Sequence, residues 1–304
     1  MNVVIKVDED TKKEMIEYYK DKMRDKKIPY VVFQAQEEDT VITMYESGKV
    51  MFQGKSADVD AAHWGIEISE KKNDKDKEKI NKENEKYYYS SSIGSDEVGT
   101  GDYFGPIVVT ATYVSKDDIS YLEELGVHDS KKITDDKIRE IAPKLAKRLK
   151  YKSIILRNDE YNEKYGKDNN MNKIKSIMHN KVLYDLEKEI KNYDYIIVDQ
   201  FAYEESYYKY LSGIDNVQRG ITFITKAEDK NLAVASASII SRYLFLREFD
   251  KLSDSIHIPL PKGAGADVDK IGEEIVEKYG REKLDEIAKV NFKNTDRILH
   301  TMVM

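Results

Sequence analysis

Two adjacent acids, Asp96 and Glu97, end a short run of strand-forming residues, and Gly99-Thr100-Gly101 follows at once. Neighbouring carboxylates suit a hard divalent cation, and a bare glycine loop lets its backbone N–H groups approach a phosphate or a sugar. Adjacent residues on a strand face opposite sides. The two acids are therefore expected to meet at one site only where the backbone bends, which Gly99 and Gly101 permit. Asp and Gly are also ordinary turn residues, so the motif gains weight only with partners elsewhere. Asp199 closes Asp194-Tyr195-Ile196-Ile197-Val198-Asp199, the clearest buried strand in the chain. An apolar core would not select an acid there, and in open α/β sheets ligands gather beyond the carboxyl ends of the strands. Glu228 stands just before a small-sided stretch holding Ala233, Ala235, Ser236, Ala237 and Ser238, expected to form a helix over 232–247 that packs close to a sheet. Asp229 beside it competes for the same role, and fits a helix cap better. His179 lies alone on an expected helix and reads as structural.

Periodicity predicts the strands and helices around these acids. Near the start, a strand over 2–7 and a helix over 11–23 are expected, with Thr11 as N-cap and Glu14 completing a capping box. Strands over 30–35, 40–45 and 49–53, with Glu46-Ser47-Gly48 as a hairpin turn, and a helix over 57–64 complete a small α+β unit with one sheet face left open. Residues 69–86 are almost entirely Glu, Asp, Lys and Asn. Such a stretch buries too little to fold alone and reads as a linker, either a solvated helix or a flexible tether. Beyond it come strands over 107–114, 152–157 and 220–225, and helices over 134–149 and 172–190. A tail of helices over 268–279, 282–288 and 292–300 follows. Asp129-Ser130-Lys131-Lys132 heads the helix over 134–149. A serine hydroxyl, lysine ammonium groups and free helix-start amides suit an anion, although exposed lysines beside a turn would look the same.

Composition narrows the classes. The chain has 304 residues, of which 40% are apolar, enough for one large domain and a small one. It has no cysteine, so disulfides and thiolate metal sites are excluded. Net charge is −7, which argues against a general nucleic-acid coat protein. Neither expected domain is basic, so a polyanion would have to be held by a local patch or through metal ions. The first residues are too quickly charged for a signal peptide, and no apolar run is long enough to span a membrane. A cytoplasmic location is expected.

The string Ser91-Ser92-Ile93-Gly94-Ser95-Asp96-Glu97-Val98-Gly99-Thr100-Gly101-Asp102-Tyr103-Phe104-Gly105-Pro106 resembles the first signature of the type 2 ribonucleases H, which act on RNA paired with DNA. Its continuation over 98–106 is similar to that of the ribonuclease HIII branch, and the likeness runs in patches to about Arg247. The resemblance implies an α/β fold: a ribonuclease-H-like mixed sheet with surrounding helices, preceded by a small α+β domain like half of a TATA-binding protein. It implies an N-terminal substrate-binding domain over 1–68, the charged linker over 69–86 and a catalytic domain over 87–304. Asp96, Glu97, Asp199 and Glu228 become the catalytic and metal-holding acids. Four such carboxylates at one point would raise one another's pKa; divalent cations remove that conflict, and Mg²⁺ or Mn²⁺ suits all-oxygen ligation. Two ions roughly 3.5–4 Å apart would bridge the scissile phosphate and leave 5′-phosphate and 3′-hydroxyl ends.

Gly99, Thr100 and Gly101 would read the ribose 2′-hydroxyl through their backbone. Ser130, Lys131 and Lys132 would touch the nucleic-acid backbone. Lys49 and Lys55 would grip the substrate from the N-terminal domain, where they otherwise read as solvated lysines. The partner implied is an RNA/DNA hybrid, met by a monomer with no membrane contact. Incision at single embedded ribonucleotides, as in the ribonuclease HII branch, is an alternative. So are a hybrid-binding protein without turnover and a metal-dependent phosphatase for small substrates. Where the ribonuclease HII branch has a Lys-Gly-Tyr-Gly-like loop, this chain reads Lys262-Gly263-Ala264-Gly265-Ala266.

Overall fold

The computed structural model describes residues 2–24, 28–37, 40–54, 56–64, 85–127, 133–166 and 169–301. Lys55, Ser130, Lys131 and Lys132 lie outside the described residues. The chain forms two compact units, one built chiefly from residues 2–64 and the other from 85–301.

The first unit is a four-stranded antiparallel sheet in the order β1-β4-β3-β2, from β1 (Asn2–Lys6), β2 (Val31–Glu37), β3 (Thr40–Tyr45) and β4 (Lys49–Gly54). Helices α1 (Glu9–Tyr19) and α2 (Ala57–His63) bring Met15, Tyr19, Ala57 and Ala61 against Val3, Ile5, Ile42 and Phe52. Strict alternation on β1 sends Val3 and Ile5 inward and leaves Val4 and Lys6 on the opposite, exposed face. The register puts Lys6 opposite Lys49 and Val4 opposite Met51, so Lys49 shares that open face with Lys6. The helix begins one turn before the expected Thr11. Asp8 is its cap, accepting from the Thr11 amide at 2.8 Å; a carboxylate directly after β1 also meets the positive end of the helix dipole.

The second unit is a five-stranded mixed sheet in the order β7-β6-β5-β8-β9. Its strands are β5 (Ser92–Val98), β6 (Ile107–Val114), β7 (Lys150–Leu156), β8 (Tyr195–Asp199) and β9 (Ile221–Ile224). β6 runs antiparallel to β5 and β7, while β8 and β9 run parallel to β5. Three short helices absent from the periodicity reading, α3 (Ile119–Glu124), α5 (Asn158–Lys164) and α7 (Glu204–Tyr210), flank α4 (Asp135–Arg148) and α6 (Met171–Glu187). The long α8 (Leu232–Ile256) carries the small residues, and α9 (Ala266–Tyr279), α10 (Glu282–Ile287) and α11 (Lys293–Thr301) close the chain.

α8 lies so close to β5 that a Cβ on Gly94 would stand 2.4 Å from the Val234 nitrogen and 2.7 Å from the Ala233 carbonyl carbon. Only a glycine facing a small-sided helix permits this approach. Asn231 sets the start of α8: its side-chain oxygen accepts from the amides of Ala233 and Val234 at 3.0 and 3.1 Å, and its amide group donates to Ser92 Oγ at 2.8 Å. Asn231, and not Asp229, is therefore the cap. Phe249 and Ile256 carry the helix beyond residue 247, since both are buried on its core stripe. No helix among the described residues is long and apolar enough to cross a membrane.

Candidate active site

Three parallel strands end side by side. Register pairs Ser95 with Val198 and Asp199 with Ile224, so Asp96, Asp199 and the turn after β9 stand at neighbouring carboxyl ends of the sheet. That turn, residues 227–229, enters through Lys226 in the left-handed region at φ 53° and buries Glu228 while leaving Asp229 exposed. In this turn Glu228 faces in and Asp229 faces out. Asp199 is held from the same turn, its Oδ1 accepting the Ala227 amide at 2.9 Å. Burial pushes the Asp96 carboxyl well above its ordinary range, and the charges of Glu97, Asp199 and Glu228 push it further, against a Ser238 hydrogen bond that favours ionisation. The other three sequence-predicted acids, Glu97, Asp199 and Glu228, thus all lie within electrostatic reach of Asp96.

The expected bend between Asp96 and Glu97 is absent. β5 stays in register with β6 through Val98, with Asp96 opposite Thr110 and Glu97 opposite Val109. Alternation then holds: Gly94 and Asp96 face α8, while Ser95 and Glu97 face α6. On the α6 side, Lys175 Nζ donates to Glu97 Oε1 at 3.0 Å, and His179 Nε2 meets Glu97 Oε2 at 2.9 Å. His179 Nδ1 in turn meets Ser95 Oγ at 2.8 Å. Burial works against a charge on Glu97, but Lys175 and His179 outweigh it and hold the carboxyl well below the usual range. Lys175 and His179 stand one turn apart on the same side of α6, so both reach Glu97, and His179 reaches Ser95 as well. The two acids therefore differ in kind: one repelled by its neighbours, the other paired.

The glycine loop leaves β5 directly. Gly99 has φ 96°, and a Cβ there would lie 2.2 Å from the Pro106 carbonyl oxygen, so any side chain is excluded. Gly101 is exposed, with nothing within 4 Å of a Cβ position. Gly99 thus closes the loop on itself, and Gly101 leaves its outer edge bare. Gly263 donates its N–H to Asp102 Oδ1 at 2.6 Å, so the Lys262–Ala266 stretch stands beside the glycine loop.

Oxygen donors in excess, with one carboxyl driven up by its neighbours, are what a hard divalent cation would relieve. As placed, no three His, Asp or Glu side chains among the described residues enclose a single point; the carboxylates border the site without forming a closed cage.

A family model described as Ribonuclease HII matches residues 93–295, and a domain of unknown function matches residues 2–78. Ribonuclease HIII of Bacillus cereus is 39% identical over 99% of both chains, and that of Bacillus mycoides 41% identical over 97% of both. This chain belongs to the ribonuclease HIII family. A crystal structure of Bst-RNase HIII in complex with Mn²⁺ superposes with a TM-score of 0.71 at 38% identity, covering 99% of both chains. The ribonuclease HIII architecture, a mixed-sheet unit preceded by an antiparallel-sheet unit, accounts for the two folds described above.

Lys175 is not foreshadowed in the sequence, and His179, expected to be structural, is linked to Glu97. A lysine on a polar helix carries no signal of its own; only the seating of α6 on β5 gives it a partner. Side chains of Lys175 and Glu97 are 11% and 13% exposed, so the pair is largely dry. Lys175→Met is expected to destabilise the fold by about 2–3 kcal/mol, because Glu97 loses one of its charged partners. In a Glu97→Gln background the same change should cost less than about 1 kcal/mol. Urea unfolding of the four proteins in this cycle measures both values; equal costs in the two backgrounds would show that the ion pair carries no coupling.

Proposed function

We propose that this chain is a metal-dependent endoribonuclease that cuts the RNA strand of RNA/DNA hybrids, leaving 5′-phosphate and 3′-hydroxyl ends. The observation that supports it most is the delivery of Asp96, Asp199 and Glu228 by the carboxyl ends of three adjacent parallel strands, with Glu97 next to Asp96 on the other face of β5. These four acids would hold Mg²⁺ or Mn²⁺, as the Mn²⁺ in Bst-RNase HIII suggests. The bound ions supply the positive charge that activates an attacking water and stabilises the leaving oxygen. Lys175 and His179 keep Glu97 ionised and aimed without that help. Thr100 and Gly101, on the bare outer edge of the loop, present backbone groups to the ribose 2′-hydroxyl, which separates RNA from DNA.

Residues 1–68 act as a substrate-binding domain, 69–86 as a linker and 87–304 as the catalytic domain. Lys6 and Lys49 face each other across strands on the open sheet of the first unit. Like charges directly opposed are unfavourable on a bare sheet, and a phosphate backbone laid across them would relieve the repulsion. Lys55, Ser130, Lys131 and Lys132 are assigned further backbone contacts. The protein is read as a cytoplasmic monomer.

Substrate choice within the family turns on the Lys262-Gly263-Ala264-Gly265-Ala266 loop. Its position beside Asp102 supports matching it to the tyrosine-bearing loop of the ribonuclease HII branch. An alanine cannot stack on a sugar at an RNA–DNA junction. The site then relies on several successive ribonucleotides. With Mg²⁺, a duplex carrying a run of four or more ribonucleotides should be cut with kcat/KM at least about tenfold above that for a single embedded ribonucleotide. Labelled matched duplexes test this. Comparable values would remove Ala264 from the specificity account, and no cleavage of the RNA run would contradict the proposed function itself.

A further inference from the structure

The inner half of the glycine loop is anchored from the far end of the chain. Tyr103 and Phe104 are fully buried, and the Tyr103 hydroxyl meets Thr295 Oγ1 at 2.9 Å. The Gly105 amide donates to the Ile287 carbonyl at 3.0 Å, and the Lys289 amide donates to the Tyr103 carbonyl at 2.8 Å. At the centre is Lys289, 0% exposed. Its Nζ donates to the carbonyl oxygens of Asp102 at 2.7 Å and Gly105 at 2.5 Å. Asn158 on α5 gives the Gly105 carbonyl a second donor at 2.9 Å.

A buried ammonium among carbonyls is an expensive way to fill space. Burial pulls the Lys289 pKa down to about 7, and only the Asp102 charge opposes that. An apolar side chain of similar length would fill the same volume without desolvating a charge. It would leave two carbonyls turned into the core with fewer donors, and the loop would then open to hydrate them. The side chain therefore fixes the path of the loop between Gly99 and Pro106. That path decides where Thr100 and Gly101 stand relative to Asp96 on the strand just before them.

We propose that Lys289 is a positioning residue for RNA recognition: through the Asp102 and Gly105 carbonyls it holds the Gly99-Thr100-Gly101 edge at the height of the substrate ribose. This rests on the reading of that edge as the sugar contact. Lys289 touches neither the acids nor the substrate, so its loss acts on binding and leaves the metal-holding groups in place.

The full chain carrying Lys289→Met tests this by steady-state cleavage of an RNA/DNA hybrid, with Mn²⁺ binding measured by calorimetry without nucleic acid. KM should rise about tenfold or more while kcat stays within about threefold, as expected for lost uniform binding, and the Mn²⁺ Kd should not move. Ile275→Val, a fully buried core change in α9 that removes none of the hydrogen bonds to the loop described above, serves as a control for general loss of stability, and its KM should equal wild type. Should Lys289→Met not fold, Asn158→Ala removes one donor from the Gly105 carbonyl and leaves Lys289 in place; its KM should rise about threefold. An unchanged KM in the variant that folds, or a rise matched by Ile275→Val, overturns the proposal. Wild type failing to cut the hybrid strikes the proposed function and this inference together, whereas normal wild-type cleavage with an unaffected variant strikes the inference alone.

Discussion

Asp96→Asn or Asp199→Asn is expected to lower kcat on an RNA/DNA hybrid by about a thousandfold or more, with hybrid affinity changed by less than about threefold. Asparagine keeps the shape of each side chain and removes its charge. The Ala227 amide can still bond the oxygen at position 199, and the Glu97 amide, which donates to Asp96 Oδ1 at 2.8 Å, can still bond the oxygen at position 96. What is lost is the anionic oxygen that a divalent cation needs. Asp96 adds a second, opposite effect. Its carboxyl is pushed up by burial and by three neighbouring acids, so ionising it opposes folding, and that cost grows as pH rises through the folded-state pKa. Asp96→Asn should therefore raise the melting temperature of the metal-free protein at neutral pH while removing activity. Thermal unfolding with and without Mn²⁺ reads this directly: added Mn²⁺ should stabilise wild type and leave the variant unmoved. Near-normal turnover in either variant would end the assignment of these acids as metal ligands.

Removal of residues 1–68 is expected to raise KM for a long hybrid by about tenfold or more while kcat falls less than about threefold. The first unit has its own core around Met15, Ile42 and Phe52 and contributes none of the four acids. Its open sheet face carries the exposed Lys6 and Lys49, and substrate contacts proposed there would involve none of the acids assigned to the chemistry. Such contacts favour ground state and transition state alike and so disappear into KM. They should also weaken with salt, as phosphate contacts do, so the KM difference between full-length and truncated chains should shrink as salt rises. An unchanged KM for the truncated protein would assign the open face some other role.

Much of the fold was legible because strands and helices impose their periods on the chain. β6 and β3 begin and end where alternation and β-branched residues predict. Asp199 stood out as an acid at the end of an apolar run, and the small-sided α8 announced its close approach to β5. The site was less legible wherever it depended on register between elements. The expected bend after Asp96 came from treating two acids as one site; the ladder with β6 is strong enough to keep the strand straight, and the acids use both faces. Lys175 and Lys289 carry no local signal, since each takes its meaning from a partner 78 or more residues away. The sequence favours Glu228 over Asp229 because Asp229 suits a helix cap, yet Asn231 is the cap, and Asp229 is exposed because the turn after the left-handed Lys226 points it outward. The short α3, α5 and α7 hold one turn or two, too few for a helical period to stand out.

Carboxylates at the ends of β5, β8 and the turn after β9 are proposed to make a metal-dependent RNA-cutting site. The measurement that meets it most directly is cleavage of an end-labelled RNA/DNA hybrid across an Mn²⁺ titration, with the product ends identified. Cutting confined to the RNA strand is predicted, absent in excess chelator, restored by Mn²⁺, and leaving 5′-phosphate and 3′-hydroxyl ends. Cleavage that persists in chelator, that falls on the DNA strand, or that leaves a 3′-phosphate would contradict it.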